Sequence, residues 1–143
     1  MAFRILLVAA LFCFAACSTP QKKKPVPPPP PAWDMSGDVA FQSIVGRVRE
    51  AVARHNVQLL ASMMTPNFGY RLEPVGEGAG VFQYWDENGL WNELALVLHE
   101  TFVPNGTYMV APPQFATDPQ YHGYRAGFIL VNGSWKFAYF VSG

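Results

Sequence analysis

Apolar positions recur along this chain with three different periods, and the changes of period mark out its elements. From Asp38 to Arg54, Phe41, Ile44, Val45, Val48 and Val52 fall on one stripe at i, i+3, i+4 spacing, while Arg47, Arg49, Glu50 and Arg54 fall off it. That pattern predicts an amphipathic helix, with Ser36 or Asp38 as its N-cap. His55-Asn56 breaks the stripe, and Asn56 can cap a second, short helix that buries Val57, Leu60, Met63 and Met64 and ends at Pro66. Phe68 to Leu72 alternates and predicts a strand, and EPVGEGAG, Glu73 to Gly80, reads as a loop. Val81 to Asn88 predicts a helix stopped near Gly89, and Leu90, Trp91, Leu94, Val97 and Leu98 predict another to about Glu100. Thr101 to Tyr121 is irregular, punctuated by Pro104, Asn105-Gly106, Pro112-Pro113 and Pro119, with a short strand at Tyr108 to Ala111.

The chain closes on two apolar runs, Tyr124 to Val131 and Ser134 to Val141, joined by Asn132-Gly133. Asn-Gly between such runs predicts a type I′ hairpin, because both central residues of that turn need positive φ. Strict alternation puts Trp135, Phe137, Tyr139 and Val141 on one side of the last strand and Ala138 and Phe140 on the other. Both sides are apolar, so these strands belong in mid-sheet or beside a cavity.

The first 31 residues have no such periodicity. Arg4 precedes an apolar run from Ile5 to Ala16, followed by Cys17. A short charged start, a hydrophobic centre of about 12 residues and a small-residue exit form a signal-peptide layout, too short to span a bilayer, which takes ~20 residues. The exit Phe14-Ala15-Ala16-Cys17 resembles the lipobox of bacterial lipoproteins, although Phe14 stands where Leu is usual. The resemblance implies that residues 1–16 are removed, that Cys17 becomes a lipidated N-terminus, and that membrane attachment runs through this lipid. Ser18 after the cysteine resembles lipoproteins sent to the outer membrane, facing the periplasm. An ordinary secretory signal, with Cys17 incidental, is the alternative. Cys13 lies within the signal, so the body carries no disulfide, thiol nucleophile or cysteine metal ligand.

Residues 17–33 read as a tether. Gln21 to Pro31 is QKKKPVPPPPP. Successive prolines fix φ, lack N–H donors and favour polyproline II, so the stretch can hold a body roughly 40 Å from the lipid at ~3.1 Å per residue. Lys22, Lys23 and Lys24 either attract anionic headgroups or keep the linker solvated.

Residues 34–143 form a single domain by length. From Trp33 onward there are six Lys and Arg against ten Asp and Glu, a net charge near −4. That argues against nucleic acid, which needs a basic face.

The order helix, short helix with Leu59-Leu60-Ala61, strand, helices and closing hairpin, with its ending GSWKFAYFVSG, resembles the NTF2-like α+β cone of small secreted bacterial proteins. The resemblance implies N-terminal helices packed on a small curved antiparallel sheet that ends in a β-hairpin, as a full or a reduced cone. Some NTF2-like families are small-molecule enzymes that use Asp/His or Tyr pairs in the cone. No such pair is identifiable here.

Candidate chemistry is sparse. His55, His99 and His122 are scattered, with no ligand spacing for a metal, and no serine sits in a nucleophile elbow. No cofactor motif is present; Gly76-Glu77-Gly78-Ala79-Gly80 lacks the βαβ context and the lysine of a phosphate loop. Asp86, Glu87, Glu93 and Glu100 spread over a helical region. Arg125 stands out, because a charge inside an apolar strand must be paired or face a cavity. It either pairs with a helix carboxylate such as Glu93 or recognises an anion at a pocket mouth, with Trp85, Trp91 and Tyr139 as candidate walls. The sequence therefore points to a membrane-anchored envelope lipoprotein with a non-enzymatic binding or accessory role. Its partner would be an envelope protein, a cell-wall component or a small ligand. An enzyme using the cone pocket is the alternative.

Overall fold

The computed structural model describes residues 38–71 and 80–143. The expected signal, the expected lipidation site Cys17, the expected tether and most of the Glu73 to Gly80 loop lie outside the described residues. Within them the fold is α+β, with five helices and a five-stranded sheet. The helices are α1 (Val39–Ala53), α2 (Val57–Met63), α3 (Val81–Asn88), α4 (Trp91–His99) and α5 (Gln114–Thr117). The strands are β1 (Met64–Gly69), β2 (Val103–Asn105), β3 (Tyr108–Ala111), β4 (Arg125–Val131) and β5 (Ser134–Val141), in the spatial order β1-β5-β4-β3-β2.

Local chemistry sets the helix ends. Asp38 caps α1 by accepting the Ala40 N–H at 2.8 Å on Oδ1, and its Oδ2 accepts the Trp135 indole N–H at 3.3 Å. Both bonds favour the ionised carboxylate and hold its pKa below the ordinary value, the backbone bond contributing most. Asn56 caps α2 through the Leu59 N–H at 3.0 Å. Gly89, at φ +62°, ends α3, with Leu90 N–H returning to the Trp85 carbonyl at 2.9 Å in a Schellman arrangement. Arg49 Nε donates to the Leu98 carbonyl at 2.6 Å, joining α1 to the C-terminal end of α4.

Two expectations are corrected. The sheet is mixed, not antiparallel throughout: β1 runs parallel to β5. The strand after α2 also begins earlier than Phe68, at Met64, and carries Pro66. Pro66 is tolerated because β1 is an edge strand, where a missing N–H interrupts no inner ladder. The stretch from Thr101 to Tyr121 is more ordered than its prolines suggest. β2 and β3 form a hairpin across Gly106-Thr107, and the positive φ of Gly106 (+61°) suits the first central position of a type II′ turn. At the closing turn, Asn132 (φ +50°) and Gly133 (φ +78°) both occupy the left-handed region that a type I′ turn requires.

The β4–β5 ladder contains a bulge. Phe128 is opposite Phe137 and Gly127 is opposite Tyr139, so Ala138 is an extra residue on β5. Strict alternation past Phe137 is therefore wrong. Trp135 and Phe137 share a face with Phe140, while Tyr139 and Val141 turn to the opposite face. One inserted residue reverses every later side chain.

The first face packs against the helices. Phe41 of α1 makes edge contacts with Phe102, Phe128 and Trp135 at centroid distances of 5.5, 5.7 and 5.0 Å. Phe137 stacks on Phe128 at 5.0 Å and meets Phe68 at 4.9 Å. Trp85 of α3 is fully buried among Phe68, Phe82, Trp91 and Phe140. Aromatic rings thus fill the space between helices and sheet.

Candidate functional site

The second face of the sheet carries a different set of side chains. Arg125, at the start of β4, shares its side with Gly127, and the neighbouring strands contribute Tyr108 and Asn105 from the β2–β3 hairpin and Tyr139 and Val141 from β5. Phe115 of α5 closes one flank. Together these residues line a groove of about 420 Å³, within the size range of small-ligand sites.

The floor is built by a glycine. A Cβ at Gly127 would overlap the Tyr139 ring and approach its hydroxyl to 2.7 Å, so the absent side chain is what lets Tyr139 lie across the sheet. Tyr108 meets Tyr139 edge-on at 5.5 Å. The Arg125 guanidinium lies over the Phe115 ring, with Cζ 4.6 Å from its centroid. Among the described residues the ion pairs are Arg54 with Glu50 and His55 with Asp86, and neither involves Arg125. The expected pairing of Arg125 with Glu93 is therefore not formed; Glu93 is exposed on α4. A half-exposed guanidinium on an aromatic face keeps its charge without a carboxylate, because its edge remains open to water or ligand.

Burial pushes the Tyr139 hydroxyl up to about 12; the Arg125 charge opposes that rise and Tyr108 adds to it. The phenol stays protonated, and a hydrogen-bond donor, across the physiological range. Tyr121, whose hydroxyl donates to the Tyr124 carbonyl at 2.8 Å, is also raised by burial, against the pull of Arg125.

The four residues expected to form one pocket are divided by the sheet. Arg125 and Tyr139 line the groove. Trp85 belongs to the helix-side core, and its buried indole N–H meets no acceptor among the described residues. Trp91 lies beside it, half-buried, donating to Asp86 Oδ1 at 2.7 Å and packing against the His55 ring at 3.9 Å. Aromatic character makes Trp85 and Trp91 candidate pocket walls, but their positions on α3 and α4 turn them to the helix-side core. Tyr108, Phe115 and Asn105 went unassigned. Asn105-Gly106 before Tyr108 was the available signal, since a hairpin there sets Tyr108 beside β4.

His55 and Asp86 form a second small cluster. His55, at φ +53°, joins α1 to α2, and its Nε2 is 3.2 Å from Asp86 Oδ1. Both side chains are more than half exposed. Among the described residues, no group of three or more His, Cys, Asp or Glu could hold a metal, and no helix is long and apolar enough to cross a membrane.

Comparison with known proteins yields no match to a family model, a curated protein or a solved structure.

Proposed function

We propose that this chain is a lipid-anchored envelope protein, attached through Cys17 and facing the periplasm from the outer membrane, whose NTF2-like body binds a ligand without transforming it. The groove on the second face is the binding site. The observation that carries this reading is Arg125, a cation with no carboxylate partner among the described residues, set on Phe115 beside two tyrosines. The groove's ring surfaces, with Arg125, the Asn105 amide and two phenols as polar groups, suit recognition of a small ligand. The class of ligand that fits is one with a flat or apolar body and an acceptor group, most simply a carboxylate, for the guanidinium. The aromatic filling between helices and sheet favours this outer groove over catalysis in a cone interior.

Benzoate is a suitable probe. An NMR titration should shift resonances around Arg125, Phe115 and Tyr139, and benzamide, the same ring without charge, should shift them less. Arg125→Met should abolish the difference between the two. Benzoate shifts scattered over the surface, or unchanged in Arg125→Met, would overturn the site. The anchor is tested separately: Cys17→Ser should release the protein from membranes and block fatty-acid labelling. Wild-type protein that takes up no labelled fatty acid would sink the lipoprotein reading.

A further inference from the structure

We propose that the groove is also the docking site of the chain's own proline run, Pro25 to Pro31. The inference rests on the reading of the groove as a ligand site, and it names an occupant that the chain itself supplies.

Chemical complementarity comes first. Within Pro25 to Pro31 the Val26 N–H is the one backbone donor, so the run offers mainly carbonyl acceptors and the apolar edges of its rings. Proline-rich segments are held by aromatic-lined grooves that donate hydrogen bonds to those carbonyls. The groove presents Tyr108, Tyr139 and Phe115 as ring surfaces, with Arg125, the two phenols and the Asn105 amide as donors, and no carboxylate lines it. A peptide that needs N–H groups satisfied would find few acceptors here. This run has one to satisfy, on Val26.

Reach comes second. The described chain begins at Asp38, which is fastened to Trp135 near the turn end of β5. Tyr139 is four residues further along that strand, roughly 13 Å at ~3.3 Å per residue. Residues 32–37 separate Asp38 from Pro31 and span roughly 20 Å when extended. The run itself adds roughly 20 Å at ~3.1 Å per residue. The chain is therefore long enough to pass round the hairpin end and lie along Tyr139 and Tyr108. Because the run is joined covalently to the body, its effective concentration at the groove is high even where its intrinsic affinity is weak.

Docking has a consequence for the anchor. With the run held in the groove, only the residues before Pro25 remain to separate the body from the lipid. A ligand that takes the groove frees the run and lengthens the tether. Ligand binding and docking of the run thereby oppose each other, which couples ligand binding to reach from the membrane.

The test uses the full chain in detergent micelles, compared with a variant in which Pro27, Pro28, Pro29 and Pro30 are all replaced by Ser. Serine restores N–H groups and removes the rings without shortening the tether. Docking predicts NMR shift differences concentrated at Asn105, Tyr108, Phe115, Arg125, Tyr139 and Val141, independent of protein concentration. It also predicts that benzoate binds the variant several-fold more tightly, because its competitor is gone. If the two proteins superimpose at the groove and bind benzoate equally, self-docking is wrong while the groove stands as a ligand site. If benzoate shifts neither protein, both readings fail. Differences that grow with concentration would assign the groove to the tether of a second copy and overturn docking within one chain.

Discussion

The two faces of the one sheet are built from similar residues to opposite ends. On the helix side Phe41, Phe128, Phe137, Phe140 and Trp85 are all sealed from solvent, and each ring finds another at an edge or a stacked angle. On the other side Tyr108, Phe115, Tyr139 and Arg125 remain half-open, with a glycine left under the Tyr139 ring. Aromatic content does not separate core from site. What separates them is whether a helix covers the face: α1 and α4 pack on one side of the inner strands, while the short α5 flanks the other beside β2 and β3, its Phe115 reaching Arg125 of β4. The Ala138 bulge assigns β5's side chains between the two faces, sending Phe137 and Phe140 inward and Tyr139 outward.

If that division is right, substitutions on the two faces should differ in kind. Phe137→Ala, on the sealed face, should cost about 3–5 kcal/mol, measured by denaturant unfolding, because a buried ring leaves a cavity that close-packed neighbours cannot fill. An effect below about 1 kcal/mol would mean the helix side is not the core.

Gly127→Ala sharpens the boundary, since its new methyl group points at Tyr139. Displacing that ring should cost about 1–3 kcal/mol by overpacking, and benzoate binding should fall with it. Retention of full affinity would show that Tyr139 does not form the floor.

Tyr139 supplies a pH test. Its folded pKa, about 12, lies above the unfolded value near 10. A raised pKa contributes stability that is whole below pH 10 and lost as pH rises towards 12, since ionising the phenol requires its exposure. Alkaline unfolding should therefore steepen over that window, and Tyr139→Phe should flatten it. Identical alkaline profiles would place the phenol in free solvent.

Arg125→Met should have the smallest effect on folding. With no carboxylate to orphan, it loses only the contact with Phe115, about 0.5–1 kcal/mol at a partly exposed site. Benzoate discrimination should vanish while the melting temperature scarcely moves. A loss of about 3 kcal/mol or more would reveal a buried ion pair.

Much of this arrangement was legible in advance, for local reasons. The α1 stripe, the Asn56 cap, the Gly89 stop and the Asn132-Gly133 turn depend on residues within a few positions of one another, and each element formed where those residues allow. β1 was misplaced because its pairing partner, β5, is some 70 residues away in the chain (Met64 opposite Phe137); no local pattern announces a parallel edge strand through Pro66. β2 is three residues long, too short for a period. Arg125 was conspicuous as a charge in an apolar run, but its surroundings were not. Phe115 and Tyr108 come from the proline-punctuated stretch whose local signal is weakest.

By itself the sequence determined α1, α3 and α4, the closing hairpin and the acidic composition from Trp33 onward, since these follow from periodicity, turn chemistry and composition. The tertiary structure alone decided which aromatic rings became core and which became groove. That choice turns on one unpaired residue, Ala138, and on which face the helices cover. Neither is visible to a pattern of period two, because a bulge is defined by the partner strand it slips against.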